Sequence, residues 1–145
     1  MQSDFIVDNS VVMAWCFDDE ASAYTDGIQD LLAKNFAFVP SIWPLEVANV
    51  LLVAERKKRI AKAASGHFIA LLSQLPIVVD LIEPERVFHD VISIARQHKL
   101  SSYDGAYIEL AIRKGLPIAS LDKAVLKAAK DIQIPIMSPS GLARK

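Results

Sequence analysis

The sequence predicts an α/β fold in which a mostly parallel sheet is covered by helices on both faces, a three-layer α/β/α arrangement. Five short apolar segments alternate along the chain with longer helical segments, and the links between them are short. Parallel strands need such helical crossovers, whereas antiparallel hairpins do not. We find no repeat, low-complexity tract or interdomain linker, so we predict a single domain over residues 1–145.

The predicted strands are short runs of β-branched and aromatic residues that end at charged residues or at proline. The first reads DFIVD, with acids at both ends, and the second reads FAFVP and stops at Pro40. The third begins at Pro76 and contains three β-branched residues in succession. The five strands are predicted over residues 4–8, 36–40, 76–82, 116–120 and 134–139.

The predicted helices are marked by their apolar spacing and by their end signals. Pro44 fits only the first turn of a helix, so one helix begins near Trp43 and ends at the basic run 56–59. Its apolar side is predicted to carry Leu45, Val47, Val50, Leu51 and Ala54. The other helices are predicted over residues 18–35, 61–75, 84–99, 103–115 and 122–131, and the segment 9–17 is ambiguous.

The composition is that of a globular protein, with 52% hydrophobic and 23% charged residues and a net charge of −1. Cys16 is the one cysteine, so no internal disulfide forms; we predict a buried thiol and a reducing compartment. No basic leader and no long apolar run is visible, which favours a cytoplasmic protein without a membrane span. The near-neutral net charge does not indicate nucleic-acid binding, so any such contact must come from a local basic patch.

Four acids stand where helices and strands of a parallel sheet meet. Asp8 follows the first strand, Asp122 comes two residues after the fourth, and Glu46 and Asp104 lie in first turns of helices. Singly, each acid fits a structural role as a cap or as first-turn charge. Together they are expected at one sheet edge, where carboxylates 4 Å apart repel by about 4 kcal/mol. A hard divalent cation such as Mg²⁺ would relieve that repulsion.

Four blocks carry a family resemblance that covers essentially the whole chain. They are FIVDNS, PSIWPLEVANVLL, SSYDGAYIELA and PIASLDKAVLKAA, in this order. Together they resemble the PIN domain and, more narrowly, the VapC toxins of bacterial toxin–antitoxin systems. The resemblance implies a Mg²⁺- or Mn²⁺-dependent endoribonuclease that hydrolyses RNA with a metal-activated water. It also implies a homodimer and a cognate VapB-like antitoxin that covers the site.

The resemblance assigns roles residue by residue. It places metal ligands and catalytic acids at Asp8, Glu46, Asp104 and Asp122, and a small catalytic hydroxyl at Ser10. That serine is expected to bind a carboxylate or phosphate oxygen, with a helix-start role equally open. The hydroxyl that often precedes the last acid falls on Ser120, where threonine is commoner. Gly105 stands where alanine is usual after the third acid, which affects how firmly Asp104 is held.

Two other functions stay open at this level. One is a PIN-like domain that only binds and does not cut. The other is an aspartate-based phosphotransfer or phosphatase domain, although such phosphatases carry a second aspartate where Ser10 stands. The three histidines share no ligand spacing and predict no zinc site.

Side chains suited to RNA are also present. Lys123, Lys127 and Lys130 fall on one helix face and could contact the RNA backbone, whereas the basic run 56–59 is better read as a solvated helix face. Trp15, Trp43 and Phe68 could stack on bases, but their apolar neighbours favour packing.

Overall fold

The computed structural model describes residues 3–140 and 143–144, and its centre is a six-stranded sheet. The strands are β1 (Phe5–Val7), β2 (Ala37–Pro40), β3 (Ile77–Asp80), β4 (Ile118–Ala119), β5 (Ile136–Met137) and β6 (Ala143–Arg144). They are ordered β3-β2-β1-β4-β5-β6 across the sheet. The first five strands are parallel, and β6 pairs antiparallel with β5. The predicted parallel α/β sheet is confirmed.

The helices occupy the links between strands, as parallel pairing requires. They are α1 (Asn9–Ala14), α2 (Ala23–Leu31), α3 (Trp43–Arg56), α4 (Lys62–Gln74), α5 (Pro84–Arg86), α6 (Ile92–His98), α7 (Ser102–Lys114) and α8 (Lys123–Ile132). A 3₁₀ turn spans Asp18–Glu20, and a π-helical segment, Val87–Val91, joins α5 to α6. Within the described part of the chain, every helix is too short or too polar to cross a lipid bilayer.

The central strand β1 divides the core into two layers. Its residues alternate between the two faces of the sheet, so Phe5 and Val7 pack with α1 to α4, whereas Ile6 packs with α7 and α8. Strand β2 does the same, with Ala37 on the first face and Phe38 on the second. The predicted three-layer arrangement follows directly from this alternation.

The predicted helix over residues 18–35 is wrong at its start. Ser22 is the N-cap of α2, and its side chain and that of Thr25 form a reciprocal capping box. This box starts the helix at Ala23, because it satisfies amides that would otherwise lack partners. The acids before it form the separate 3₁₀ turn.

Two further expectations on burial need correction. Leu45 is 68% exposed and does not belong to the buried stripe of α3. The stripe is made by Val47, Leu51 and Ala54, and Leu45 lies about 200° around the helix from Val47. Cys16 is half-buried at the edge of the core and not enclosed in it.

The aromatic residues follow the packing interpretation. Trp43 and Phe68 are buried in the core, and Trp15 is half-buried against it. The indole Nε1 of Trp15 donates to the carbonyl oxygen of Thr25 at 2.8 Å. These three side chains therefore pack with the protein's own core.

Candidate active site

The four acids lie at the carboxyl edge of the parallel strands. Asp8 follows β1, which pairs with β2 on one side and β4 on the other. Glu46 stands in the first turn of α3, after β2, and Asp122 is the N-cap of α8, after β4. Asp104 occupies the first turn of α7. In open α/β sheets this edge is where ligands bind.

Asp8 is held from two directions by serine hydroxyls. It is only 5% exposed, and its Oδ2 accepts hydrogen bonds from Ser10 Oγ at 2.7 Å and Ser120 Oγ at 2.8 Å. Ser10 Oγ in turn accepts from the backbone N–H of Leu121, and Ser120 Oγ from that of Asp122, both at 3.0 Å. Each serine has one hydroxyl proton, so these contacts commit it to the Asp8 carboxylate.

The two carboxyl oxygens of Asp122 have different surroundings. Oδ1 accepts from the backbone N–H groups of Ala124 at 2.9 Å and Val125 at 3.1 Å, which caps α8. Among the described residues, no hydrogen bond reaches Oδ2. The capping role expected for this residue is present, and one oxygen is left for another partner.

Glu46 has a partner that sequence reasoning did not name. Tyr107, which is fully buried, donates its hydroxyl proton to Glu46 Oε1 at 2.7 Å. Tyr107 follows Asp104 by three residues, about one helical turn, so it shares a face of α7 with that acid. This i, i+3 spacing was the signal that could have marked the tyrosine.

Asp104 is positioned by the start of α7. Ser101 is the N-cap, and its Oγ accepts from the backbone N–H of Asp104 at 3.1 Å. A methyl group on Gly105 would lie 3.2 Å from Ala95 Cβ and 3.3 Å from the Val91 carbonyl oxygen. Glycine therefore lets this turn of α7 approach α6 closely.

The acids act on one another's ionisation. Burial raises the pKa of the Asp8 carboxyl above its ordinary value, the two serines oppose that rise, and the charge of Asp122 adds to it. Burial also raises the pKa of Asp104, as do the charges of Asp122 and Asp8. The pKa of Glu46 rises for the same reason, burial first, with Asp8 and Asp104 adding to it and Tyr107 opposing it. The charges of Asp8, Asp104 and Asp122 thus act on neighbouring carboxyls of the site.

Among the described residues, no lysine, arginine or histidine forms an ion pair with any of the four acids. Oxygen donors suit a hard divalent cation. Within the same residues, however, no three acidic, histidine or cysteine side chains are grouped tightly enough to hold a metal ion by themselves. The donor set fits an ion such as Mg²⁺ that completes its ligand sphere with water.

Helix α8 begins at this edge and carries three lysines, of which Lys130 lies in its last turn, at the far end of the helix. Lys123, Lys127 and Lys130 are all exposed, and Lys123 directly follows the capping Asp122. Lys127 pairs with Asp131 at 3.3 Å, a contact with little energetic weight at such exposure. The face is therefore available to solvent and to ligands.

Comparisons with known proteins agree with this architecture. A family model of the PIN domain matches residues 5–131, a range that contains all four acids. The chain also resembles the crystal structure of PAE2754 from Pyrobaculum aerophilum, with a TM-score of 0.65 over 88% of this chain and 87% of that one. The two sequences are 24% identical, so this likeness concerns the fold. No curated protein matches the sequence significantly.

The family match covers well over half of the chain and includes every element from β1 to α8. PIN domains are in general metal-dependent nucleases. A parallel sheet with acids gathered at its carboxyl edge is compatible with such an activity. The chain belongs to the PIN domain family.

Proposed function

We propose that the protein is a Mg²⁺- or Mn²⁺-dependent endoribonuclease that hydrolyses RNA phosphodiester bonds. The observation that carries this proposal is the gathering of four acids at one edge of the sheet, where burial and neighbouring carboxylates raise the pKa of Asp8, Glu46 and Asp104. Among the described residues, none of the four acids forms an ion pair. Repulsion among such carboxyls costs the fold stability, so their gathering at one edge points to an external cation.

Asp8, Asp104 and Asp122 would hold the ion, and Glu46 would bind it or orient a ligand. When bound, a divalent ion lowers the pKa of water and stabilises charge on phosphate oxygens. Because the described residues contain no tight three-ligand group, the proposed ion would be bound partly through water.

Hydrogen bonds within the chain would hold the side chains of these acids in position. Ser10 and Ser120 hold the Asp8 carboxylate by one oxygen, which leaves Oδ1 to a ligand. Burial raises the pKa of Tyr107, as does its contact with Glu46, so the phenol remains protonated and keeps donating to Oε1. Ser10 is therefore proposed as a positioning hydroxyl more than as a nucleophile.

The biological setting is proposed from the resemblance of the four sequence blocks to VapC toxins. It comprises a toxin role in a type II toxin–antitoxin module, a VapB-like antitoxin, a homodimer and a cytoplasmic location. Induced expression of the wild-type chain should then arrest bacterial growth, and expression of the Asp104→Asn variant should not. Coexpression of a small protein encoded directly upstream should restore growth.

The experiment that tests the nuclease is digestion of total bacterial RNA by the purified chain with Mg²⁺ or Mn²⁺. Wild type, Asp104→Asn and an EDTA sample run side by side, with Asp26→Asn as a matched control. Asp26 is an exposed aspartate on α2, away from the site. Discrete fragments should form with wild type and Asp26→Asn and vanish in the other two samples.

The same experiment separates the alternatives. Fragments that persist in Asp104→Asn would refute the assignment of the acids. A folded wild-type protein that binds Mn²⁺ and leaves every RNA intact would favour the binding-only PIN domain instead.

A further inference from the structure

A cavity of about 360 Å³ opens directly beside the acids. Its walls include Asn9, Leu45, Glu46, Asn49 and Tyr103. Three of these walls are sequence neighbours of proposed site acids: Asn9 follows Asp8, Leu45 precedes Glu46, and Tyr103 precedes Asp104. The volume lies within the range of about 300–1,000 Å³ that small-ligand sites occupy.

Asn9 leaves a hydrogen-bonding group without a partner in this wall. The residue is 9% exposed, and its Oδ1 is buried with no hydrogen-bond partner among the described residues. A buried polar atom without a partner costs about 1–3 kcal/mol. Such a group calls for an explanation, and a ligand in the adjoining cavity that supplies the missing bond is one.

Tyr103 and Leu45 present apolar surface at the same cavity. Tyr103 is 57% exposed and Leu45 is 68% exposed, although both belong to helices with buried faces elsewhere. An exposed ring beside a phosphate site is the surface on which single-stranded RNA stacks a base. Because Leu45 lies outside the buried stripe of α3, its aliphatic side chain lines the same cavity as that ring.

The charge of the cavity selects its occupant. None of its lining residues is basic, and Glu46 is acidic, so the cavity repels a phosphate group. A neutral, planar group with a hydrogen-bond donor fits better. Nucleobases that carry an exocyclic amino group present this donor at the edge of the ring, whereas the N3–H donor of uracil lies between two carbonyl oxygens, which an acidic cavity disfavours.

We propose that this cavity is a subsite for an unstacked nucleobase bearing an exocyclic amino group, next to the phosphate bound at the acids. The base stacks on Tyr103, and its amino group donates to the side-chain oxygen of Asn9. Asn49, on the same side of α3 as Glu46, supplies a second amide at the cavity wall. This inference rests on the proposed nuclease function and adds base preference to it.

Binding of short fluorescein-labelled RNA tests the subsite without relying on cleavage. Oligo(A), oligo(C) and oligo(U) of equal length are titrated with the full chain in Ca²⁺ buffer, and a gel verifies that the probes stay intact. We expect tighter binding of oligo(A) and oligo(C) than of oligo(U). Tyr103→Ala and Asn49→Ala should each weaken binding of the preferred probes by about tenfold, and Tyr103→Phe should restore it.

Phe88→Ala and Gln97→Ala are matched controls. Both residues are exposed, one aromatic and one amide, and neither lines the cavity. Equal affinity for the three probes, or a preference that survives both test substitutions, would overturn the subsite. A retained base preference in a protein that cuts no RNA with Mg²⁺ or Mn²⁺ would refute the nuclease and leave the subsite standing.

Discussion

A carboxyl that is buried among other carboxyls binds its proton more tightly in the folded protein than in the unfolded chain. Asp8, Glu46 and Asp104 are in this position. Their folded-state pKa values are raised, so the folded protein binds more protons than the unfolded chain over the intervening pH range. Stability of the metal-free protein therefore falls as pH rises from about 4 toward neutral.

Asp104→Asn tests this sign. Removing one charge should raise the free energy of unfolding in EDTA near pH 7 by up to about 1 kcal/mol, or roughly 3 °C in Tm. The gain should disappear near pH 3, where the carboxyls are protonated in both states. Thermal unfolding followed by circular dichroism measures it, with Asp26→Asn as control. A variant less stable than wild type at pH 7 would contradict the inference that repulsion among these carboxylates destabilises the folded protein.

Tyr107→Phe tests the phenol that holds Glu46. The hydrogen bond from Tyr107 opposes the rise in the pKa of Glu46, so its loss should raise that pKa further. We expect RNA cleavage to fall more at mildly acidic pH than at pH 8, with about 1–2 kcal/mol lost from stability. The measurement is the pH profile of cleavage. If the acidic limb of the pH profile does not shift, the hydrogen bond from the phenol does not set the pKa of Glu46.

Single residues also show how much of the site could be predicted. The four acids stand beside strand ends or in first turns, so a general rule for parallel sheets brings them together. Tyr107 and Asn9 were not predicted as site residues, because an aromatic and an amide next to apolar residues read equally well as core or cap. Their roles depend on tertiary contacts, such as that of Tyr107 with Glu46, which the i, i+3 spacing from Asp104 does not specify by itself.

At the scale of elements, the helix that carries Asp104 packs unusually closely against its neighbour. Gly105 faces Ala95 and the backbone of Val91, and Val91 ends the π-helical segment. π-Helical segments often occur beside functional sites. Nothing in the apolar spacing of 84–99 marks this irregularity, because a one-residue shift in hydrogen bonding leaves most of the pattern intact.

Comparing two glycines isolates the effect of this packing. Gly66→Ala on α4 adds a methyl group that meets no atom within 4 Å, so it should stabilise the protein by about 0.5–1 kcal/mol through helix propensity. Gly105→Ala gains the same propensity but must push apart α6 and α7. We expect it to gain less or to lose stability, and to weaken Mn²⁺ binding severalfold. Denaturant unfolding and Mn²⁺ titration measure both effects.

If both substitutions raise the free energy of unfolding equally, α7 can move away from its neighbour without a loss of stability. Wild-type Mn²⁺ affinity in Gly105→Ala would show that this close approach does not position Asp104. Either result would leave the departure from alanine at Gly105 without a structural consequence.

At the scale of the whole molecule, an ion-pair network ties α7 to the edge of the sheet. Glu109 is buried and pairs with Arg113 at 2.9 Å, and Arg113 also reaches Asp80 of β3 at 2.6 Å. Arg86 lies 3.8 Å from Glu109. The network links α7 to β3 and α5, which precede it in the chain by more than fifteen residues.

Arg113→Met should destabilise the protein by about 3 kcal/mol, because it leaves the Glu109 carboxylate buried with only the distant Arg86. The double variant Arg113→Met/Glu109→Leu should recover much of the loss, since no unpaired charge remains. Arg86→Met is the control and should cost less than about 1 kcal/mol, as its pairs are half-exposed. Urea unfolding midpoints decide between these outcomes.

The parallel sheet was predictable because its strands and crossovers are local patterns in a repeating order. Strand β6 was not predicted, because two residues pairing antiparallel with β5 leave no periodic signal. The exposure of Leu45 was also missed, since an apolar residue at a helix start reads as core whenever the cavity beside it is unknown.

The serine bridges to Asp8 have a consequence for how the protein is made. Ser120 and the amides of Leu121 and Asp122 complete the surroundings of Asp8, which precedes Ser120 by 112 positions in the chain. The ribosome must therefore deliver more than 120 residues, and β4 must dock beside β1, before the acids meet. A nascent chain that stops before Asp122 lacks this arrangement, so the chemistry of the site cannot begin until that residue has been translated and β4 has docked.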